Sequence, residues 1–143
     1  MPELRPLKGL RVIADPDAIE RAIWRSTPYS AAPKFVLRIA PDEVFGLGSI
    51  GVDVDDPHAI VESEHGYVGA WLGGRTSLAP HVEWSIPSER GLLVQGKVAG
   101  VSCKILLANP LELPDTWPRH LRLLLLTQAA YAHELSDRLG WLE

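Results

Sequence analysis

Cysteine is almost absent: Cys103 is the only one in 143 residues. A lone thiol excludes an intrachain disulfide and a multi-cysteine metal site, and it is compatible with a reducing compartment. Charge of one sign is missing too, since 14 Lys and Arg stand against 18 Asp and Glu for a net charge of -4. The basic residues are scattered, so nonspecific attraction to nucleic acid or to anionic lipid is weak. Long apolar runs are also lacking. The chief candidate for membrane entry, Leu123 to Leu126, is far short of the roughly 20 residues that span a bilayer, and Arg11, Asp15 and Pro16 interrupt the N-terminal region before a signal-peptide core can form. These absences predict a soluble, cytoplasmic chain with no nucleic-acid or membrane partner.

What is present is an ordinary globular composition, 46% hydrophobic and 22% charged. At this length folding removes roughly two-thirds of the chain's surface from water, so a packed core needs no staple. No repeat, low-complexity tract or boundary divides the sequence, and residues 1–143 are expected to form a single domain.

Leu10 to Ala14 reads as a first strand. Asp15 as N-cap and Pro16 at the first helical position then open a helix predicted over Asp15 to Arg25, with Ile19, Ala22 and Ile23 on one stripe. A small-residue connection, STPYSAAPK, follows. KFVLRI and EVFGL flank a turn at Ala40 to Glu43, HAIVES and YVGAWL form two strands around Glu64 to Gly66, and LLVQGKV and VSCKILLA flank Ala99-Gly100 as a hairpin. Pro110, Pro114 and Pro118 delimit a loop. Between Pro118 and Gly140 one long helix and a strand followed by a helix both fit. We take the strand from about Leu121 to Leu126 and the helix from Gln128 to Leu139, with Ala132, Leu135 and Leu139 on one face. The expected fold is α+β, a mainly antiparallel sheet of about six strands with an N-terminal and a C-terminal helix packed on it.

Chemical motifs fail their own context. Gly46, Gly48 and Gly51 match G-x-G-x-x-G, but Val52 to Pro57 is β-branched, acidic and proline-ended, where a dinucleotide site needs a helix N-terminus. We read a loop and expect no cofactor. Asp53, Asp55 and Glu64 occupy positions 1, 3 and 12 of an EF-hand-like loop that lacks its glycine. His58, Glu62 and His65 offer imidazole and carboxylate ligands, but strand alternation turns the two histidines apart. His133 and Asp137 depart from H-E-x-x-H, and Cys103 alternates with core residues rather than facing a base. No metal and no catalytic residue are expected. Tryptophan is abundant, with five against three Tyr and two Phe. Trp84 and Trp141, with His81, are the candidate interaction surface, since indoles concentrate at interfaces.

Four stretches, RIAPDEVFGLG, VESEHGYVGAWLGG, ERGLLVQGKVAGVSCKILL and AYAHELSDRLGW, resemble the gamma subunit of heterotetrameric sarcosine oxidase. That subunit is a relative of the folate-binding aminomethyltransferase fold. The resemblance covers about Lys34 to Trp141. It implies a non-catalytic accessory subunit in one-carbon, amine-oxidising metabolism, with a protein partner or a second copy of itself. The alternative is a small-molecule, folate-like binding protein, or a metal-assisted hydrolase using His58, Glu62 and His65.

Overall fold

The computed structural model describes residues 2–26, 35–87, 92–107 and 122–141. The connection predicted at 26–34 is described only at Ser26; its remainder, the loop carrying Pro110, Pro114 and Pro118, and Leu121 lie outside the described residues. The architecture is α+β and mostly antiparallel sheet. In chain order the strands are β1 (Arg5–Pro6), β2 (Gly9–Ile13), β3 (Ile23–Ser26), β4 (Phe35–Ala40), β5 (Glu43–Leu47) and β6 (Ser49–Asp53). They continue with β7 (Ile60–Glu64), β8 (Tyr67–Leu72), β9 (Leu92–Val98), β10 (Val101–Leu107) and β11 (Leu123–Gln128). Two short α-helices are α1 (Pro16–Glu20) and α2 (Ala132–Arg138). Among the described residues no helix is long and apolar enough to cross a membrane.

By their contacts the residues gather into two compact units, an inserted unit of Leu7–His65 and a main unit built from the chain on either side of it. The main unit is a five-stranded sheet in the order β1-β8-β11-β10-β9. Its centre is β11, and Leu123 to Leu126 are at most 1% exposed. A strand covered on both faces reads as an unbroken apolar run, which is why this segment shows no alternation. On one face Leu135 and Leu139 of α2, with Leu78 and Ile86, pack against Val101, Cys103, Ile105 and Leu125. Complete burial of Leu135 stabilises the unit by about 2 kcal/mol.

The inserted unit has a four-stranded sheet, β4-β5-β2-β7, and a two-stranded sheet, β3-β6. Val12, Ala14, Ile19 and Val44 form its interior, with Trp24 and Val52 packed against them. Arg11 bridges two strands, donating to Glu43 on β5 and to Glu62 on β7 at 3.2 and 2.8 Å. The flanking carboxylates raise the guanidinium's pKa and keep it charged.

Three expectations are corrected. The N-terminal helix stops at Glu20 instead of reaching Arg25, because Ile23 to Ser26 pair with β6 and Trp24 is laid against Gly46 of β5. A few residues of helical periodicity do not repay helix nucleation when sheet pairing is available. The six-strand sheet is instead eleven strands in three sheets among the described residues; among the strands not expected, Arg5–Pro6 pairs with β8, and Ile23–Ser26 and Ser49–Asp53 pair with each other where a helix and a glycine loop were predicted. Gly46 lies inside β5, Gly48 (φ 79°) turns the chain, and Gly51 sits in β6. Finally, α2 begins at Ala132 after a 3-10 turn at Ala129–Tyr131. Gln128, the expected helix start, remains in β11 opposite Tyr67.

Candidate interaction site

The hairpin β9–β10 organises the site. Its two-residue turn, Ala99 (φ 50°) and Gly100 (φ 80°), has both residues in the left-handed region that a tight hairpin of native twist requires. The turn makes Val98 and Val101 the closing hydrogen-bonded pair, so Val98, Gly96 and Val94 turn their backbone groups toward β10. Lys97 points its carbonyl the other way, toward the sheet edge.

Trp84 closes that edge. Its indole Nε1–H donates to the Lys97 carbonyl at 2.9 Å, and its ring lies over Gly96, where an added Cβ would come within 2.6 Å of ring carbons. Glycine at 96 is therefore the seat of the indole, and no side chain fits there without displacing it.

The segment carrying Trp84 is tied down on both sides. A 3-10 turn at Arg75–Ser77 and another at Ala79–His81 precede it. The Arg75 guanidinium donates to the Ile86 carbonyl at 3.0 Å, and the Ala99 N–H donates to the His81 carbonyl at 2.7 Å. Leu78 and Ile86 anchor the segment in the core.

Half-buried Trp84 separates two clefts. One, of about 620 Å³, is lined by Pro80, His81, Glu83, Trp84 and Lys97. The other, of about 530 Å³, is lined by Gly74, Arg75, Thr76, Trp84 and Ile86. A large apolar ring with its polar atom already satisfied, standing between two hollows on a braced segment, offers contact area at low entropic cost.

Of the residues named from sequence, His81 and Trp84 thus share a cleft. Trp141 is elsewhere: its N–H donates to the Ser136 carbonyl at 2.9 Å and its side chain packs on the core under α2. His58 and His65 flank β7, exposed and beyond opposite ends of the strand. Glu62 between them is engaged by Arg11. The Asp56 carboxylate accepts the N–H groups of Asp15 and His58, each at 2.9 Å, which holds it below the usual carboxylate range. Among the described residues no three His, Cys, Asp or Glu side chains gather at metal-binding distance. Burial pushes the Cys103 thiol up to about 11, as its place among core residues leads one to expect.

Sequence reasoning chose Trp84 for its position beside a loop. The stronger signal was Gly96, a glycine inside an apolar strand, which marks a close approach by another group.

Comparison of the chain with protein-family models, with curated proteins and with solved structures finds no match.

Proposed function

We propose that this chain is a non-catalytic accessory subunit that docks a larger protein through the Trp84 clefts. The observation that carries the reading is the indole of Trp84, held by Lys97 and seated on Gly96 between two hollows. Interface hot spots have this construction: an aromatic anchor, fixed before binding, with recesses beside it for the partner's side chains. The motif resemblance to the gamma subunit of sarcosine oxidase supports a partner in amine-oxidising, one-carbon metabolism. His81, at the wall of the larger cleft, supplies a polar rim contact.

The test is affinity purification from the native cell, followed by gel filtration of the isolated chain. Recovery with one stoichiometric larger protein, reconstituted from purified components and lost in Trp84→Ala with the fold intact, is the expected result. Recovery of the chain alone, or a complex indifferent to Trp84→Ala, overturns the reading.

A further inference from the structure

The ladder between β10 and β11 ends before either strand does. β10 stays paired with β9 as far as Val101, and β11 stays paired with β8 as far as Gln128, yet the last pair between them is Lys104 with Leu126. The parity set by the Ala99-Gly100 hairpin turns the backbone groups of Ser102 and Lys104 toward β11. The next hydrogen-bonded pair in that register would be Ser102 with Gln128. It does not form: the Ser102 carbonyl instead accepts the Thr127 hydroxyl at 2.8 Å. The strands part there, and a cavity of about 280 Å³ opens between them.

The lining of this opening has one electrostatic sign. Gln95, Lys97, Ser102, Lys104, Gln128 and Tyr131 contribute, and no Asp or Glu does. Lys97 stands opposite Ser102 and Lys104 opposite Gln95, which makes the two lysines diagonal neighbours on one face, roughly 7–8 Å apart at Cβ. The Lys104 ammonium lies 5.5 Å from the centroid of the Tyr67 ring. The ring occupies one side of the ammonium and leaves its other N–H donors for a second acceptor. Neither lysine is in an ion pair among the described residues. In a chain of net charge -4, two lysines lining a hollow with no acidic residue is a local arrangement rather than a consequence of composition.

We propose that this opening binds a small oxyanion, the carboxylate or phosphate of a compact metabolite. Lys97 and Lys104 would clamp the anion, with the backbone N–H groups of Ser102 and Gln128 at its border and the Gln128 amide beside it. Charge-assisted hydrogen bonds of this kind are the strong ones. The volume equals that of roughly nine waters, which suits a compact metabolite. The site is separate from the Trp84 clefts although Lys97 borders both, so it goes beyond the docking role.

The test is an amide-resolved NMR titration of the full chain at constant ionic strength. The probes are succinate, inorganic phosphate and neutral succinamide. Saturable shifts at Ser102, Lys104 and Gln128 are expected with succinate or phosphate and not with succinamide. The tighter of the two anions identifies the source as a carboxylate or a phosphate ester. Lys97→Gln with Lys104→Gln weakens binding by about tenfold or more without changing thermal unfolding, whereas Lys8→Gln leaves it unchanged. No saturation by ~10 mM, an affinity weaker than that of most specific metabolite sites, overturns the proposal. So do equal shifts with succinamide or binding that survives in the double variant.

Discussion

Each unit lays an indole on a strand glycine, Trp84 on Gly96 in the main unit and Trp24 on Gly46 in the inserted unit. The local device is the same; the strand's place in its sheet differs. Gly46 belongs to β5, which has neighbours on both sides, and half-buried Trp24 packs against Val12, Ile19 and Val44. Gly96 belongs to β9 at the end of its sheet, and Trp84 stands half out of the core with a cleft on either flank. Both indoles are half-buried; one lies over an inner strand, the other over an edge strand.

The units also differ in what holds them. Leucine dominates the main unit, where β11 and α2 supply fully buried side chains. In the inserted unit the ion pairs that join different elements are Arg11 to Glu43 and Glu62, Arg25 to Asp53, and Arg38 to Glu20. Apolar side chains there stay in water: Ile23, Val36, Ile50, Ile60 and Val61 are all exposed.

The comparison predicts where substitutions strike. Leu135→Ala removes a fully buried side chain between α2 and the sheet and should cost about 3 kcal/mol. Urea unfolding followed by hydrogen exchange should show the loss at β10 and β11, with β2 and β5 protected as before. An equal loss in both units would show that they unfold as one.

Gly46→Ala and Gly96→Ala each drive a Cβ into an indole, and overpacking of this kind costs about 1–3 kcal/mol. The inner-strand site should be the more expensive, because Trp84 stands beside two clefts into which its ring can swing. Tryptophan emission should shift to the red in Gly96→Ala as Trp84 enters water. Equal costs would erase the distinction between the inner-strand and the edge-strand ring.

Arg11→Met should destabilise the inserted unit by about 1 kcal/mol, since its pairs are partly exposed and screened. The effect should shrink in high salt. An undiminished cost at high salt would mean that Arg11 acts through packing of its stem instead.

The smallest effect concerns Cys103. Folding raises its pKa to about 11 by burial, so the folded state favours the neutral thiol. The stability this contributes is complete below the ordinary thiol pKa and is lost as pH rises from there toward 11. Unfolding measured from neutral to alkaline pH should show a downward slope that Cys103→Ala flattens, and the native thiol should resist disulfide reagents near pH 8. Rapid labelling of the folded protein would contradict its burial.

Features set by neighbours in sequence were legible from the sequence. The Ala99-Gly100 turn could be read because a two-residue loop between apolar strands admits few conformations. Leu135 and Leu139 could be placed on the core face of α2, and Gly140 (φ 74°) at its end, from spacing and backbone freedom. Cys103 could be turned inward by alternation alone. The short reach of α1 was not legible, because what ends the helix is the pairing of Trp24 with Val52, far along the chain.

By itself the sequence determined where strands turn, which faces are apolar, and that no dense charge or cysteine cluster organises the chain. Those are local matters of backbone sterics and hydrophobic period. Only the tertiary structure decided that Trp84 lies over an edge strand beside two clefts while Trp24 lies over an inner strand, that His81 joins Trp84 and Trp141 does not, and that β10 and β11 part beside two lysines. Each depends on which strand lies at an edge and where a ladder stops. Strand order and register arise from contacts between distant segments, and no window of neighbouring residues encodes them.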